Sequence, residues 1–324
     1  MKRRNPMHRH ASWLLACLLA ILYAPSDSAR IGDTGSAIDS ILFVLSADKP
    51  IYHQLVNSAR RHLEARRGKP FDTKTLLLDE IQPTHFPPGG VQLIVAVGTR
   101  AANALIDRPL RVPVVEVLIP EPTARKLHAR GRGNGPRIAL ALEQPLPRQL
   151  ELIHQLLPSA RDIGVLLGPS SQGDRPAIET AIRAAGFRPT VAEIRDTDDL
   201  GPALDRLLHR SDVILAVPDK LIFNRATVYR LLLASYRQGV PVIGFSRALV
   251  RSGALAAVHS TAEDLGAALA DLIAENLPNE EAGERTIVHS RHYHVSINRA
   301  VARSLGLQPP DIGVLTKALR DRDP

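Results

Sequence analysis

The sequence lacks most of the features that give a function away. Its one cysteine, Cys17, lies in an N-terminal apolar run. Once that run is removed no thiol remains, which excludes disulfides and cysteine catalysis even in a compartment that permits disulfides. Aromatic residues make up only 4% of the chain, too few for a platform that stacks single-stranded nucleic acid. There is no P-loop, no HExxH zinc motif and no GxGxxG turn. No tandem repeat or low-complexity tract is visible. The apolar run at 11–24 is shorter than the roughly 20 residues needed to span a bilayer.

What is present is an ordinary globular composition, 44% apolar and 23% charged. At 324 residues the chain is long for one core and comfortable for two α/β lobes. The formal charge is +8, but the arginines are scattered rather than clustered. That pattern reads as a solvated basic surface, and no nucleic-acid partner is expected.

The N-terminus reads as an address. Lys2, Arg3, Arg4 and Arg9 precede the apolar run, and small residues at Ser26, Ser28 and Ala29 follow it. This is the pattern of a secretory signal, expected over residues 1–29, and it implies a periplasmic protein. An uncleaved membrane anchor is the alternative. Leu14 to Cys17 resembles a lipoprotein processing box, but the apolar run continues past it, so Cys17 is read as a small hydrophobe. Asn5-Pro6 after Arg3-Arg4 argues against twin-arginine export.

Beyond a small, polar stretch at 30–37, short β-rich runs alternate with helical patterns. Strands are expected at 41–46, 75–78, 93–97, 112–118 and 138–142, then at 163–167, 190–194, 213–217, 240–244, 255–258 and 286–288. Several are continuous apolar runs, which suit parallel strands covered on both faces. Ile178, Ala181, Ile182 and Ala185 fall at helical spacing ahead of Gly186, as do Leu265, Ala268, Leu269, Leu272 and Ile273. Thr261 and Asp264 form a capping box before the second of these, and Asn224 is expected to cap the helix carrying Val228, Leu231 and Leu232. The fold class is therefore α/β, two Rossmann-like lobes with parallel sheets, bridged near the prolines of 143–147.

In open parallel sheets ligands bind beyond the C-terminal strand ends. That rule selects Ser46, Thr99 after Gly98, Glu116, Ser170 with Ser171, Asp219 and Ser246 as ligand-binding candidates. Taken one by one, each would also serve as a turn or cap residue. Catalytic constellations are weak. Gly244 to Ala248 resembles a nucleophile elbow with Ala in place of the last Gly, but no histidine is marked as its base. His289, His292 and His294 are the densest histidine group, with His292 and His294 on one face of a strand; they read as a solvated strand rather than a metal site. No enzyme activity, cofactor or metal is expected.

The second half, from VILAVPDK through HSTAEDLGAALADLI, and the ending INRAVARSLGLQPP are similar to substrate-binding proteins of a poorly characterised branch of ABC importers. The chain keeps that family's Pro218 and Asp219, Pro241, Val250, Gly253-Ala254-Leu255, Gly266, Ile297-Asn298, Ala302, Leu305-Gly306-Leu307 and Pro310 in order. The resemblance implies a type I periplasmic-binding architecture in which hinge closure traps a small solute between the lobes. It implies a first lobe of residues 38–144 with about 258–280, a second of 145–257 with about 281–310, and a C-terminal tail at 311–324. Family ligands include aromatic amino acids. By analogy Thr99 and the amides after Gly98 would hold a carboxylate, and Asp219 an ammonium. Arg247 stands where the family often has an acid, which makes an organic anion the other candidate ligand. Gly133-Asn134-Gly135 only echoes a glycine-rich family segment. The implied partners are an ABC permease or a membrane sensor, with the chain itself a monomer.

Overall fold

The computed structural model describes residues 38–68, 70–82, 86–131, 135–275 and 285–323. The expected leader with Cys17, the Gly133-Asn134 echo and the expected lobe boundary at 281 lie outside these residues.

The elements follow in chain order as β1 (Ser40–Leu45), α1 (Pro50–Arg67), β2 (Asp72–Leu77), β3 (Leu93–Val97), α2 (Thr99–Leu105), β4 (Val114–Ile119), α3 (Glu121–Arg130) and β5 (Arg137–Ala141). Next come α4 (Leu146–Leu156), β6 (Asp162–Leu167), α5 (Arg175–Ala184), β7 (Arg188–Glu193), α6 (Leu200–Leu208), β8 (Val213–Leu215), α7 (Val228–Arg237), β9 (Val242–Gly244), α8 (Arg247–Ser252) and β10 (Ala256–His259). The chain closes with α9 (Ala262–Ala274), β11 (Arg285–Val288), β12 (His294–Ile297), α10 (Arg299–Ser304) and α11 (Ile312–Asp321).

These strands form two six-stranded sheets, β2-β1-β3-β4-β5-β11 and β7-β6-β8-β9-β10-β12. Among the described pairings only β12 runs antiparallel, against β10. The α/β class with parallel-dominated sheets is thus the one the apolar runs imply. Their continuity has a simple cause. In β1, Ile41, Phe43 and Leu45 pack with Leu55 and Leu63 of α1 and Leu265 and Leu269 of α9. Leu42 and Val44 point the other way, to Ala101 and Leu105 of α2 and Leu127 of α3. The second sheet repeats this, with Val165 and Leu167 against α4 and α5 and Leu166 against α6. A strand buried on both faces has no polar side to alternate with.

The Thr261–Asp264 capping box forms as expected and starts α9. That helix lies so close to α1 that a Cβ on Gly266 would sit 2.6 Å from the Leu55 carbonyl oxygen and from Ser58 Cβ. Glycine is required there by the close approach of two backbones, and Ser58 Oγ donates to the Glu263 carbonyl at 2.8 Å across the same contact.

The structure corrects four expectations. First, β10 stays in the second sheet to His259, and β11 pairs with β5 from Arg285 to Val288, so the crossings fall at 142–145, 260–261 and 289–293. Second, residues 311–323 are not a loose tail. Leu315 and Leu319 of α11 are buried in the second core, and Arg148 pairs with Asp323. Third, Thr227 rather than Asn224 begins α7; Asn224 Oδ1 accepts from the Ala226 and Thr227 amides and folds the turn before it. Fourth, β12 begins at His294, which leaves His292 in the crossing rather than on the strand. Among the described residues no helix is long and apolar enough to cross a membrane.

Candidate functional site

Parallel register brings the C-terminal strand ends of the first sheet to one edge, with Leu45 beside Val97, Val97 beside Val117 and Val117 beside Leu140. Ser46 sits at that edge, buried. Its hydroxyl accepts the Ala101 amide at 2.9 Å, and its carbonyl accepts from Arg100 Nη1 at 2.9 Å. Ser46 thus satisfies one of the amides that the first turn of α2 leaves without an intrahelical partner. Gly98 has φ +90, and a Cβ there would lie 2.7 Å from Ser46 Oγ and 2.8 Å from the Tyr52 hydroxyl. Only glycine lets the chain turn from β3 into α2 in that space. Thr99 follows it, exposed on the same edge.

Glu116 does not belong to this edge. β4 runs to Ile119, so Glu116 lies three residues inside the strand, fully buried on the face covered by α2 and α3. Its carboxylate is 2.6 Å from His128 Nε2 and 3.3 Å from Arg137 Nη1, both buried. Burial pushes the Arg137 guanidinium down, and the Glu116 charge opposes that shift. Glu116, expected at the ligand edge, is instead held in the core, because a strand side chain's direction is set by alternation. The first acid past the strand is Glu121, two residues beyond Ile119 at the start of α3. Leu118, at φ +55, and a register shift between Val117 and Ile119 bend the strand just before it. Bulges of this kind re-aim side chains beside functional sites.

In the second sheet Asp219 organises the edge. Its Oδ2 accepts the Ser170 amide at 3.0 Å, the Ser170 hydroxyl at 2.7 Å and the Ser171 hydroxyl at 2.9 Å, while Oδ1 accepts the Leu221 amide at 2.8 Å. Burial would raise its pKa, but these hydrogen bonds together hold the carboxyl below its ordinary value. Asp219 therefore ties the loop after β6 to the loop after β8. Ser246 caps α8, its hydroxyl accepting the Leu249 amide at 3.2 Å. Phe223 and Phe245 meet edge to face nearby, with centroids 5.3 Å apart.

A cavity of about 310 Å³ is lined by residues of both lobes. Glu121, Arg125, Glu143 and His289 line it from the first lobe, and Asp174, Ala177 and Pro218 from the second. None of the six residues selected from the sequence lines it, although Pro218 adjoins Asp219. Arg125 joins Glu121 on its own helix to Asp174 of the other lobe. His289 Nε2 lies 2.9 Å from Glu121 Oε2, and this contact holds the Glu121 carboxyl below its usual range. Glu143 accepts the Glu121 amide at 2.8 Å, and burial raises its pKa. Sequence reasoning missed this set because it is assembled from a strand end, a helix and two crossings. The one available signal was Pro120-Glu121 immediately after the apolar run of β4.

The three crossings are tied together. Gln144 Nε2 donates to Ser260 Oγ at 2.8 Å, and Ser260 Oγ donates to the His292 carbonyl at 2.7 Å. The histidine group does not converge on a metal: His292 pairs with Asp271 and His294 with Asp264, and among the described residues no cluster of three potential metal ligands occurs.

Residues 84–320 match the family described as ABC transporter substrate binding protein. A "Tyrosine-binding protein" of Clostridioides difficile is 21% identical over 220 residues, which is 67% of this chain and 63% of that relative's length. Among solved structures, a ligand-free, open substrate-binding protein with adhesive properties from Clostridium difficile superposes with a TM-score of 0.65 at 18% identity, covering 85% of this chain and 97% of that one. The ABC domain in complex with L-Trp from Streptococcus pneumonia gives a TM-score of 0.56 at 19% identity, covering 86% of this chain and 97% of that one. With most of its length matched and the two-lobed fold in common, the chain belongs to the ABC transporter substrate-binding protein family.

Proposed function

We propose that the protein is exported and captures a small polar solute between its lobes for an ABC-type importer, binding it rather than transforming it. The observation that carries this reading is the cavity of about 310 Å³ walled by both lobes. Its size suits a small metabolite. A wall shared by two bodies joined through three tied crossings lets closure enclose the solute.

An α-amino acid with an apolar or aromatic side chain fits this cleft best. Two relatives, one named for binding tyrosine and one solved with L-Trp, favour that class. The cavity supports it from its own chemistry. Pro122, Pro145, Leu146 and Ala177 offer an apolar wall, and the ionised Glu121 with Asp174 can receive an ammonium group. Ser46, Thr99, Ser170, Asp219 and Ser246 would form the rim on closure, with Thr99 and its amide toward a carboxylate. Asp219 acts by fixing the rim loops, since its oxygens already accept four hydrogen bonds.

The test is a thermal-shift screen of protein lacking residues 1–29 against the common amino acids, organic acids and sugars. A solute at about 100 times its Kd should add roughly 2.7 kcal/mol of stability. The expected result is a saturable shift confined to amino acids. A shift given by sugars alone would reject the ligand class, and no saturable shift from any solute would reject the receptor reading.

A further inference from the structure

Some arginines of the second lobe are matched by acids. Arg175 pairs with Glu179 and Glu193, Arg183 with Glu179, and Arg188 with Asp162. Arg247 and Arg251 are among those that are not matched, and they are set apart by the recess they share. They lie four residues apart on α8, so they share a face, and among the described residues neither has an acidic partner or a side-chain hydrogen bond. Both line a recess of about 420 Å³ between α8 and the β10–β12 edge of the sheet.

The sheet side of the recess is also built from donors. Antiparallel register sets Ala257 opposite Ser296 and His259 opposite His294, so His259, His294 and Ser296 share one face. His259 Nε2 lies 2.8 Å from Ser296 Oγ, and His259 is 7% exposed. No carboxylate lines the recess. The nearest acid, Asp264, already accepts the Thr261 amide and hydroxyl and lies 3.1 Å from His294 Nε2.

We propose that this recess is an oxyanion site, in which the Arg247 and Arg251 guanidiniums and the His259–Ser296 pair bind a phosphate or carboxylate group. Guanidinium groups match such oxygens in pairs, and two of them without protein acids leave a charge deficit that an anion fills. Burial lowers the His259 pKa, the neighbouring His294 and Arg247 add to that shift, and Asp264 opposes it. A bound anion reverses that repulsion. Binding should therefore take up a proton on His259 and strengthen as pH falls through its titration. The recess shares no lining residue with the interlobe cavity.

Two sources share this chemistry: a free oxyanion, and the acidic group of a larger solute that reaches in from the cleft. NMR of the His259 ring and of the backbone amides, with protein lacking residues 1–29, tests the site and separates the two. The probes are inorganic phosphate and glutarate, near pH 6 and near pH 8. The expected result is a saturable shift of His259, stronger at the lower pH. In the Arg247→Gln/Arg251→Gln variant the affinity should fall by about tenfold or more. Both arginines are exposed, so the variant should keep its Tm, and an Arg247→Lys/Arg251→Lys variant should recover part of the affinity. Shifts confined to α8 and β12 with both probes assign a free oxyanion. Shifts that extend to Ser170 and Leu221 with glutarate assign the acid of a cleft solute. No saturable shift at millimolar phosphate, or the same shift in the Arg→Gln variant, overturns the proposal.

Discussion

The first sheet ends its strands on a serine hydroxyl and a glycine turn, whereas the second ends them on a buried carboxylate. In the first lobe Ser46 and Gly98 bring β1 and β3 together at the cleft, and the ionic cluster of Glu116, His128 and Arg137 lies deeper, under α2 and α3. In the second, Asp219 stands at the edge itself and gathers four hydrogen bonds. Both acids are buried and both follow apolar runs, yet one holds a core together and the other holds a rim together. The difference is strand register. Three residues short of a strand's end, a side chain faces a covering helix; just past the end, it faces the loops.

Removing an acid in each place should expose that difference. Glu116→Ala leaves Arg137 buried without its counter-charge and should cost about 3–5 kcal/mol in denaturant unfolding. Its effect on solute affinity should be no more than stability explains. Asp219→Ala should cost less, about 2–3 kcal/mol, because the freed Ser170 hydroxyl can turn to solvent and the buried Ser171 hydroxyl keeps its contacts with Gly168. It should, however, loosen the rim and weaken solute binding at temperatures where the fold is intact.

The contribution of Asp219 also depends on pH. The Asp219 pKa is lower folded than unfolded. Its contribution is thus fully present above the ordinary aspartate value near 4 and is lost as pH falls through the lower folded value. The stability gap between wild type and Asp219→Asn should therefore close only on acidification below about pH 4. A gap unchanged at lower pH would mean that the charge of Asp219 plays no part.

Gly266→Ala should cost about 1–3 kcal/mol through overpacking of α9 on α1. Hydrogen exchange should rise in the first lobe and leave β6 to β10 protected; equal loss in both lobes would show that they unfold as one unit. Smallest in stability is Arg125→Ala, expected to cost under about 1 kcal/mol because the Arg125–Asp174 pair is partly solvated. Its readout is the equilibrium between open and closed forms, measured by small-angle scattering with and without solute.

Much of the fold was legible because twofold burial leaves an unmistakable apolar run, as in β1, β3 and β6. The capping box at Thr261 and Asp264 was legible for the same reason, since its logic is local. What was not legible depends on distant partners. β11 is a short strand whose sequence does not say which sheet it joins, and only its pairing with β5 places it. The role of α11 rests on Leu315 and Leu319 reaching a core built far earlier in the chain. The site was less legible. The strand-end rule led to Ser46, Thr99, Ser170, Asp219 and Ser246, none of which lines the cavity, and to Glu116, which lies inside β4 three residues short of its end. His289 and Glu143 could not be found at all, because they come from crossings whose course is fixed by both lobes at once.

A solute captured by this protein should bind in the cavity walled by both lobes. Ala177 lines that cavity from an exposed position on α5, so Ala177→Trp should fill the space without disturbing a core. Calorimetric titration of this variant, with the solute that gives the largest thermal shift, tests the claim most directly. The account predicts an affinity lower by about 30-fold or more, roughly 2 kcal/mol, with the unliganded Tm unchanged. An affinity equal to that of the wild type would contradict it.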